Sequence, residues 1–387
     1  MSGKIAFDPI TLPPEAETLR AEVRAFLDAE IAAGAFDPSG VIGRGPFDRD
    51  FSRRVGAKGW IGMTWPKRYG GAERSFFERY VVNEEFLIAN APTQAHFVAD
   101  RQSGPVLLRY AADEIKDDIL PRITRGECAF CIGMSEPDSG SDLFAAKTRA
   151  EKIDGGGWRV NGRKLWTSFA HHADYMIAVL RTSLAPDDNR RHGLSQFLVD
   201  MKTPGITVTP VPNMAGQHDF NEVLFEDVVL PENALLGEQD MAWKQATAEL
   251  AFERSGPERF LDTYQVLVEL IRALGPEPDR RGAEGVGRLV AQLNSLRRMS
   301  ISVAGKLAAG MEPVLEASIV KDLGTNWEQA LPAKARDLAA FVDFAPGNVP
   351  GFEAVLAQAT MIAPKLTIQG GTREILRGII ARGLGLR

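Results

Sequence analysis

Cysteine is almost missing from this chain: 387 residues carry two, Cys128 and Cys131. Their C-x-x-C spacing suits a redox motif or half a zinc site, but structural zinc needs two more ligands in a similar cluster and none follows. The pair sits in an apolar run, AFCIGM, that reads as a buried strand, so two unreactive buried thiols are expected. Runs of Lys and Arg are missing too, and the formal net charge is −6. A nucleic-acid groove needs a concentrated basic face, so that class is disfavoured. No segment approaches the apolar length that spans a bilayer. The first residues, MSGKIAFDPITLPPEAE, have no signal-peptide core, and a cytoplasmic protein is expected. There is no G-x-G-x-x-G between a strand and a helix, hence no nicotinamide fingerprint, and neither a P-loop nor a G-x-S-x-G elbow. His171-His172 lacks an H-E-x-x-H setting, and adjacent side chains rarely converge on one ion. A surface or packing role is expected for them, and no metal site. No internal repeat or low-complexity segment is visible.

What the chain does have is length for two or three lobes and an ordinary globular composition, 44% hydrophobic and 25% charged. It changes character twice. Residues 1–127 read as helical: Leu19, Val23, Phe26, Leu27 and Ile31 recur at helical spacing, and Tyr80 to Asn90, Val106 to Ala112 and Asp113 to Leu120 continue the pattern. Residues 128–238 read as strands. Asn161-Gly162 lies between strand-like flanks and is a strong hairpin signal. Gly155-Gly156-Gly157 reads as a flexible turn. Tyr175 to Leu180, Gly193 to Met201, Ile206 to Val211 and Phe220 to Leu230 supply further strands, enough for a small barrel or sandwich. Residues 239–387 return to helices, with Leu289, Leu293, Leu296 and Met299 in one and Ile375, Leu376, Ile379 and Ile380 in another. An irregular stretch, Phe344 to Gly351, lies between them. The expectation is an α+β fold in which a β-domain is inserted between helical lobes.

Four stretches bear on chemistry. CIGMSEPDSGSD, Cys131 to Asp142, places hydroxyls, carboxylates, Pro and Gly directly after a strand; it is either a polar loop or a loop that holds something. KLWTS, Lys164 to Ser168, sets a large aromatic beside two hydroxyls, a combination suited to a planar heteroaromatic cofactor. LAFER, Leu250 to Arg254, puts a carboxylate beside an arginine on an apolar helix, where burial can tune a base. QGGTREILR, Gln369 to Arg377, runs from two glycines through a capping Thr372 into a helix whose free N–H groups suit an anionic phosphate. Each alone is as well explained by packing, capping or an ion pair.

Together, six segments in order resemble the acyl-CoA dehydrogenase family of bacterial fatty-acid and steroid degradation along nearly the whole chain. They are PRITRGECAFCIGMSEPDSGSDL, VNGRKLWTS followed by Ala173-Asp174, LSQFLVD with TPGITV, FNEVLFEDVVLPENALLG, LAFERSGPERF, and TIQGGTREILRGIIARGLGLR. The resemblance implies an N-terminal α-helical domain, a middle β-barrel and a C-terminal helical bundle, divided at 127/128 and 238/239. It implies FAD, with Met134 and Ser135 along the flavin, Trp166 against it, Thr167 and Ser168 at its N5 side, and Gly371, Thr372 and Glu374 toward its ribityl-pyrophosphate. It implies Ser141, Arg254 and Gly370 on the acyl-CoA side. The implied chemistry is α,β-dehydrogenation of an acyl-CoA thioester: a carboxylate takes the α-proton, the β-hydrogen leaves as hydride to the flavin, and electrons pass to an electron-transfer flavoprotein.

The chain departs from the family pattern in two places. The residue before the final Gly-Thr, a glutamate base in many members, is Gly370. Isovaleryl-type members take the base from the helix after the barrel, directly before an arginine, and Glu253 fits that slot. The R-x-x-F-G segment that reaches a neighbouring subunit's FAD is reduced to Arg280-Arg281-Gly282-Ala283-Glu284-Gly285, which leaves Arg281 as the cofactor candidate there, and the usual glycine-rich adenine stretch is absent. A homodimer, a homotetramer or a heterotetramer with a related subunit is therefore open. The alternatives are a non-catalytic partner subunit, a flavin monooxygenase on the same fold and, least favoured by the charge balance, a nucleic-acid-binding relative.

Overall fold

The computed structural model describes residues 5–186, 189–245, 254–345 and 349–386. The element order is helices, then a mixed eight-stranded sheet, then helices. The chain falls into two compact units made of interleaved segments: Met1–Phe47, Arg74–Thr93 and Leu250–Arg387 form one, and Asp48–Glu73 with Gln94–Glu249 the other.

The first unit holds α1 (Pro14–Ala32), α3 (Phe76–Ile88), α7 (Tyr264–Leu274), α8 (Arg280–Ala308), α9 (Val314–Ala339), α10 (Val349–Leu366) and α11 (Arg373–Gly383). Helical spacing becomes burial as expected: Leu19, Val23 and Leu27 of α1 are buried, as are Leu289 and Leu296 of α8. Starts follow local chemistry. Ser75 and Glu78 form a reciprocal capping box on α3, Asp279 accepts the N–H of Gly282 at 2.6 Å on α8, and Thr372 caps α11. Arg20 of α1 and Arg297 of α8 both clasp the buried Glu84 of α3, Arg297 through a two-pronged contact of 2.6 and 2.9 Å. The stretch expected to be irregular already turns helical at Val349, since proline fits the first turn of a helix; residues 346–348 lie outside the described residues.

The second unit holds α2 (Arg49–Ala57), α4 (Gln94–Val98), a π-turn at Ala99–Ser103, α5 (Gly104–Tyr110), α6 (Asp113–Thr124) and all the strands. These are β1 (Phe130–Gly133), β2 (Arg149–Lys152), β3 (Trp158–Ser168), β4 (Tyr175–Arg181), β5 (Leu194–Asp200), β6 (Ile206–Val211), β7 (Phe220–Leu230) and β8 (Leu235–Leu236), paired in the order β6-β7-β3-β2-β4-β5-β8, with β1 parallel to β4. Their inward residues, among them Cys131, Trp158, Val160, Met176, Phe197, Val223 and Phe225, form one core. Cys128 and Cys131 are free and buried, and burial pushes the Cys128 thiol up to about 12 and raises Cys131 as well, so both stay protonated and inert.

Asn161-Gly162 is not a hairpin. β3 runs straight through it, pairing with β2 on one side and β7 on the other. The β2–β3 turn is made instead by Gly155, Gly156 and Gly157, all at positive φ. Gly162 serves a close approach, since a Cβ there would stand 2.7 Å from Thr148 Cα. Asn161 uses its side chain on the neighbouring strand, accepting the N–H of Asp227 at 2.8 Å where β7 bulges. Two available strand partners outweigh a local turn preference.

Candidate functional site

The loop after β1 is built around Glu136. Its buried carboxylate accepts the backbone N–H groups of Lys147 at 2.6 Å and Thr148 at 3.1 Å, and the ammonium of Lys164 at 2.7 Å. Lys164 sits at an inward position of β3 with no exposed surface. Its three donors meet three acceptors: Glu136, the Val179 carbonyl at 2.6 Å and the Met134 carbonyl at 3.3 Å. Burial pushes the Glu136 carboxyl up, but Lys164 and the backbone donors outweigh it and hold it below the ordinary carboxylate value. Burial likewise lowers Lys164, against the pull of Glu136.

This bracket fixes Met134 and Ser135 beside β3, where the Ser135 carbonyl accepts the N–H of Leu165 at 2.8 Å. The rest of the loop is a surface turn. Glu136 and Ser139 exchange backbone bonds of 2.7 and 3.1 Å, Asp138 pairs with Lys147 and Asp142 with Arg190, and Ser141 is exposed. Of the three carboxylates in Cys131 to Asp142, Glu136 is internal scaffold and Asp138 and Asp142 are solvated.

Next to the bracket, β3 bulges. Its register with β7 shifts between Lys164 and Thr167, and Trp166 takes a left-handed φ of 61°. The tryptophan is thrown outward, 54% exposed, with its ring edge-on to Phe220 at 5.9 Å. Ser168 is half-buried, whereas the Thr167 side chain is buried and its hydroxyl has no partner. The structure thus brings Met134, Ser135, Trp166 and Ser168 together and turns the Thr167 hydroxyl inward, because side chains alternate on either side of the outward tryptophan. Trp166 thus combines a left-handed, non-glycine φ with a large aromatic left in water.

The first unit carries the remaining candidates. Gly370 and Gly371 lie at φ 66° and 100° before Thr372, whose hydroxyl accepts the Ile375 N–H at 3.4 Å. Lys321, fully buried on α9, donates to the Gly371 carbonyl at 2.7 Å. The buried Arg254 stands 3.4 Å from where a Cβ on Gly371 would be. Arg254 and the Gly-Gly turn are therefore neighbours, and the missing side chain leaves space beside a guanidinium. Glu374 is exposed at the start of α11, its carboxyl lowered by its own N–H and the Thr372 hydroxyl. Arg281 is exposed and lies over the Phe341 ring at 5.3 Å. Glu253, with Leu250, Ala251 and Phe252, lies outside the described residues.

Glu136, Lys321 and the role of Lys164 were missed by sequence reasoning. One signal was present: a lysine at the inward parity of an alternating strand demands a carboxylate partner. His171 and His172 pack as expected, their rings tilted with centroids 4.0 Å apart, and His171 stacks on His218. Among the described residues, no group of three or more His, Cys, Asp or Glu is arranged for a metal, and no helix is long and apolar enough to cross a membrane.

Residues 13–127 match the family model of the acyl-CoA dehydrogenase N-terminal domain, and residues 131–228 that of the acyl-CoA dehydrogenase middle domain. The chain is 32% identical over 386 residues to the acyl-CoA dehydrogenase IpdE1 of Mycobacterium tuberculosis (strain ATCC 25618 / H37Rv), covering 96% of this chain and 98% of that protein. It is 30% identical to the acyl-CoA dehydrogenase FadE26 of the same organism, covering 97% and 98%. Among solved structures, it is similar to the Tcur3481-Tcur3483 steroid ACAD (TM-score 0.83, 26% identity, 97% of this chain and 99% of that one). It is also similar to the ChsE4-ChsE5 complex from Mycobacterium tuberculosis (TM-score 0.80, 28% identity, 98% and 100%).

Proposed function

Since the chain belongs to the acyl-CoA dehydrogenase family, we propose that it is a cytoplasmic enzyme that converts an acyl-CoA to the 2-enoyl-CoA and passes the electrons to an electron-transfer flavoprotein. Its cofactor is FAD, as in the rest of the family. The observation that carries the reading is the outward Trp166 on its strained bulge, flanked by the clamped Met134-Ser135 segment. That arrangement fits a planar isoalloxazine ring: an apolar face stands uncovered with a half-buried hydroxyl, Ser168, beside it. The Gly370-Gly371 turn and the capped start of α11 fit the phosphate-bearing part, with N–H donors and no side chain in the way.

FAD, when bound, accepts the hydrogen and electron pair that α,β-dehydrogenation releases. In this proposal Glu253 takes the α-proton, Arg254 and Ser141 contact the CoA thioester, and Gly370 leaves room on the acyl side. Thr372 and Glu374 serve the cofactor side, as does Arg281, which would have to leave Phe341 to do so. The three-domain division at 127/128 and 238/239 belongs to the same reading. For the acyl group we propose a branched or ring-bearing chain. Support comes from the absence of a side chain at Gly370 and from the likeness to a structure titled a steroid ACAD. The two paired names in the similar structures support a heterotetramer beside the homodimer and homotetramer.

The test is anaerobic mixing of the purified flavoprotein with short, long, branched and steroid-side-chain acyl-CoAs, and separately with NADH and NADPH. An acyl-CoA is expected to bleach the flavin and the nicotinamides to leave it oxidised. Rapid bleaching by NADH favours the monooxygenase; no response to any acyl-CoA with FAD in place favours the non-catalytic subunit. Trp166→Ala is expected to weaken FAD binding by about ten- to a hundredfold, the loss from uncovering one face of a large aromatic contact. The melting temperature of the apoprotein should barely move, because the ring is already largely in water. Unchanged FAD affinity in a flavin titration would place Trp166 away from the ring.

A further inference from the structure

We propose that His171 and His218 are positioning residues for the Trp166-to-Ser168 bulge. By sharing the Oδ1 atom of Asn221 they turn that residue's Nδ2 onto the Thr167 carbonyl. The inference rests on the reading of this bulge as the flavin face, but its first link is a property of the protein alone.

The geometry leaves little freedom. Asn221 lies on β7 opposite Thr167 and is completely buried. Its Nδ2 donates to the Thr167 carbonyl at 3.0 Å, and a carbonyl only accepts, so the amide orientation is settled and Oδ1 faces the histidines. His171 Nδ1 stands 3.2 Å from that oxygen and His218 Nε2 stands 2.7 Å from it. Both nitrogens must therefore carry hydrogen and donate to that oxygen. The rings lie 3.8 Å apart and within 13° of parallel, and the His172 ring is 4.0 Å from that of His171. Burial, with His172 and His218 nearby, lowers His171 to about 4, so His171 is neutral around pH 7 with its hydrogen on Nδ1.

The bulge needs holding. Trp166 and Phe169 both adopt left-handed φ, 61° and 53°, each at a cost of order 1–2 kcal/mol for an L-residue. Thr167 lies between them, at the point where the ladder with β7 resumes after the register shift. An amide locked by two donors on one side is a directed donor on the other. A free asparagine could flip and present oxygen to oxygen. The adjoining Asp219 carbonyl takes the Phe169 N–H at 2.8 Å, so the same β7 lead-in anchors the far end of the bulge.

Replacement by amides that keep a donor nitrogen in place separates this role from packing. His171→Asn puts an N–H where Nδ1 was, and His218→Gln puts one where Nε2 was; the leucine variants remove it. Asn221→Asp keeps acceptors for both histidines and removes the donor toward Thr167. Two readouts are used: FAD titration of the apoprotein, and Trp166 emission in the apoprotein, taken as the difference from Trp166→Phe. His171→Asn and His218→Gln are expected to bind FAD within about twofold of the parent. His171→Leu, His218→Leu and Asn221→Asp should each lose about tenfold, the worth of one buried hydrogen bond, and shift the Trp166 emission. The inference is overturned if Asn221→Asp keeps parental affinity and emission, or if the leucine variants match the amide ones. If Asn221→Asp does not fold, the two histidine pairs decide alone. Should the parent bind no FAD, the proposed function falls while the emission series still decides this inference.

Discussion

Glu253→Gln is expected to keep FAD and bind acyl-CoA yet reduce its flavin about two to four orders of magnitude more slowly, the usual contribution of a general base. The amide preserves shape and hydrogen bonding and removes only proton affinity. The motivation is relative position: Glu253 directly precedes Arg254, which is buried against the Gly371 turn, and Gly370 has no side chain to serve. Exclusion of water by a bound thioester should make the carboxylate more basic, because desolvation disfavours the charged form. The companion variant, Glu253→Gln with Gly370→Glu, moves a carboxylate to the other position used in the family. Gly370 has a φ of 66°, so any other residue there is strained by about 1–2 kcal/mol, and rescue of a straight-chain substrate should be partial. Stopped-flow reduction under anaerobic conditions measures both. Near-normal reduction by Glu253→Gln alone would falsify the assignment and turn attention to a carboxylate supplied by a partner chain. Asp142 and Glu374 are poorer substitutes, since both are exposed, Asp142 in a surface ion pair with Arg190 and Glu374 at a helix start.

Lys164→Met should lower the unfolding free energy at neutral pH by about 3–5 kcal/mol, because it strands the buried Glu136 without its counter-charge. It should also release FAD, since Met134 and Ser135 lose the anchor that sets them beside Trp166. Adding Glu136→Gln should recover part of the stability, because a neutral amide in the same place carries no uncompensated charge. Acid dependence separates this pair from general packing. In the parent, the Glu136 carboxyl is held below its ordinary value, so its contribution is present above about pH 4.5 and is lost as pH falls through the lowered value. In Lys164→Met, burial acts without the lysine and raises that carboxyl, so acid protonates it and relieves the penalty. The gap between parent and variant should therefore be widest near neutrality and shrink on acidification. Denaturant titrations at several pH values measure it; a variant within 1 kcal/mol of the parent at pH 7 would show that the pair is not what holds the loop.

The order of helices, strands and helices was legible because each element advertises itself over consecutive residues. Leu19, Val23 and Leu27 repeat at the period of a helix, and Thr372 caps the helix that follows it, as Ser75 caps α3. β2 and β8 escaped notice because RAEK buries a single alanine and LL is two residues long. The site was legible as a set of short segments, and Trp166 stood out by its type.

Sequence by itself determined the family, the element order and the inert cysteines. Each of these is written in neighbours along the chain or in a motif of a few residues. Tertiary structure alone decided that Asn161-Gly162 continues a strand, that Trp166 faces outward while the Thr167 hydroxyl faces in, and that Lys164 closes on a glutamate 28 residues earlier. It alone brought His218 onto His171 and both onto Asn221. The physical reason is the same in every case. Local preferences of about 1 kcal/mol per residue give way when burial forces a strand to find partners on both edges and a charge to find its opposite. Which distant residue answers that demand is fixed only once the chain has packed.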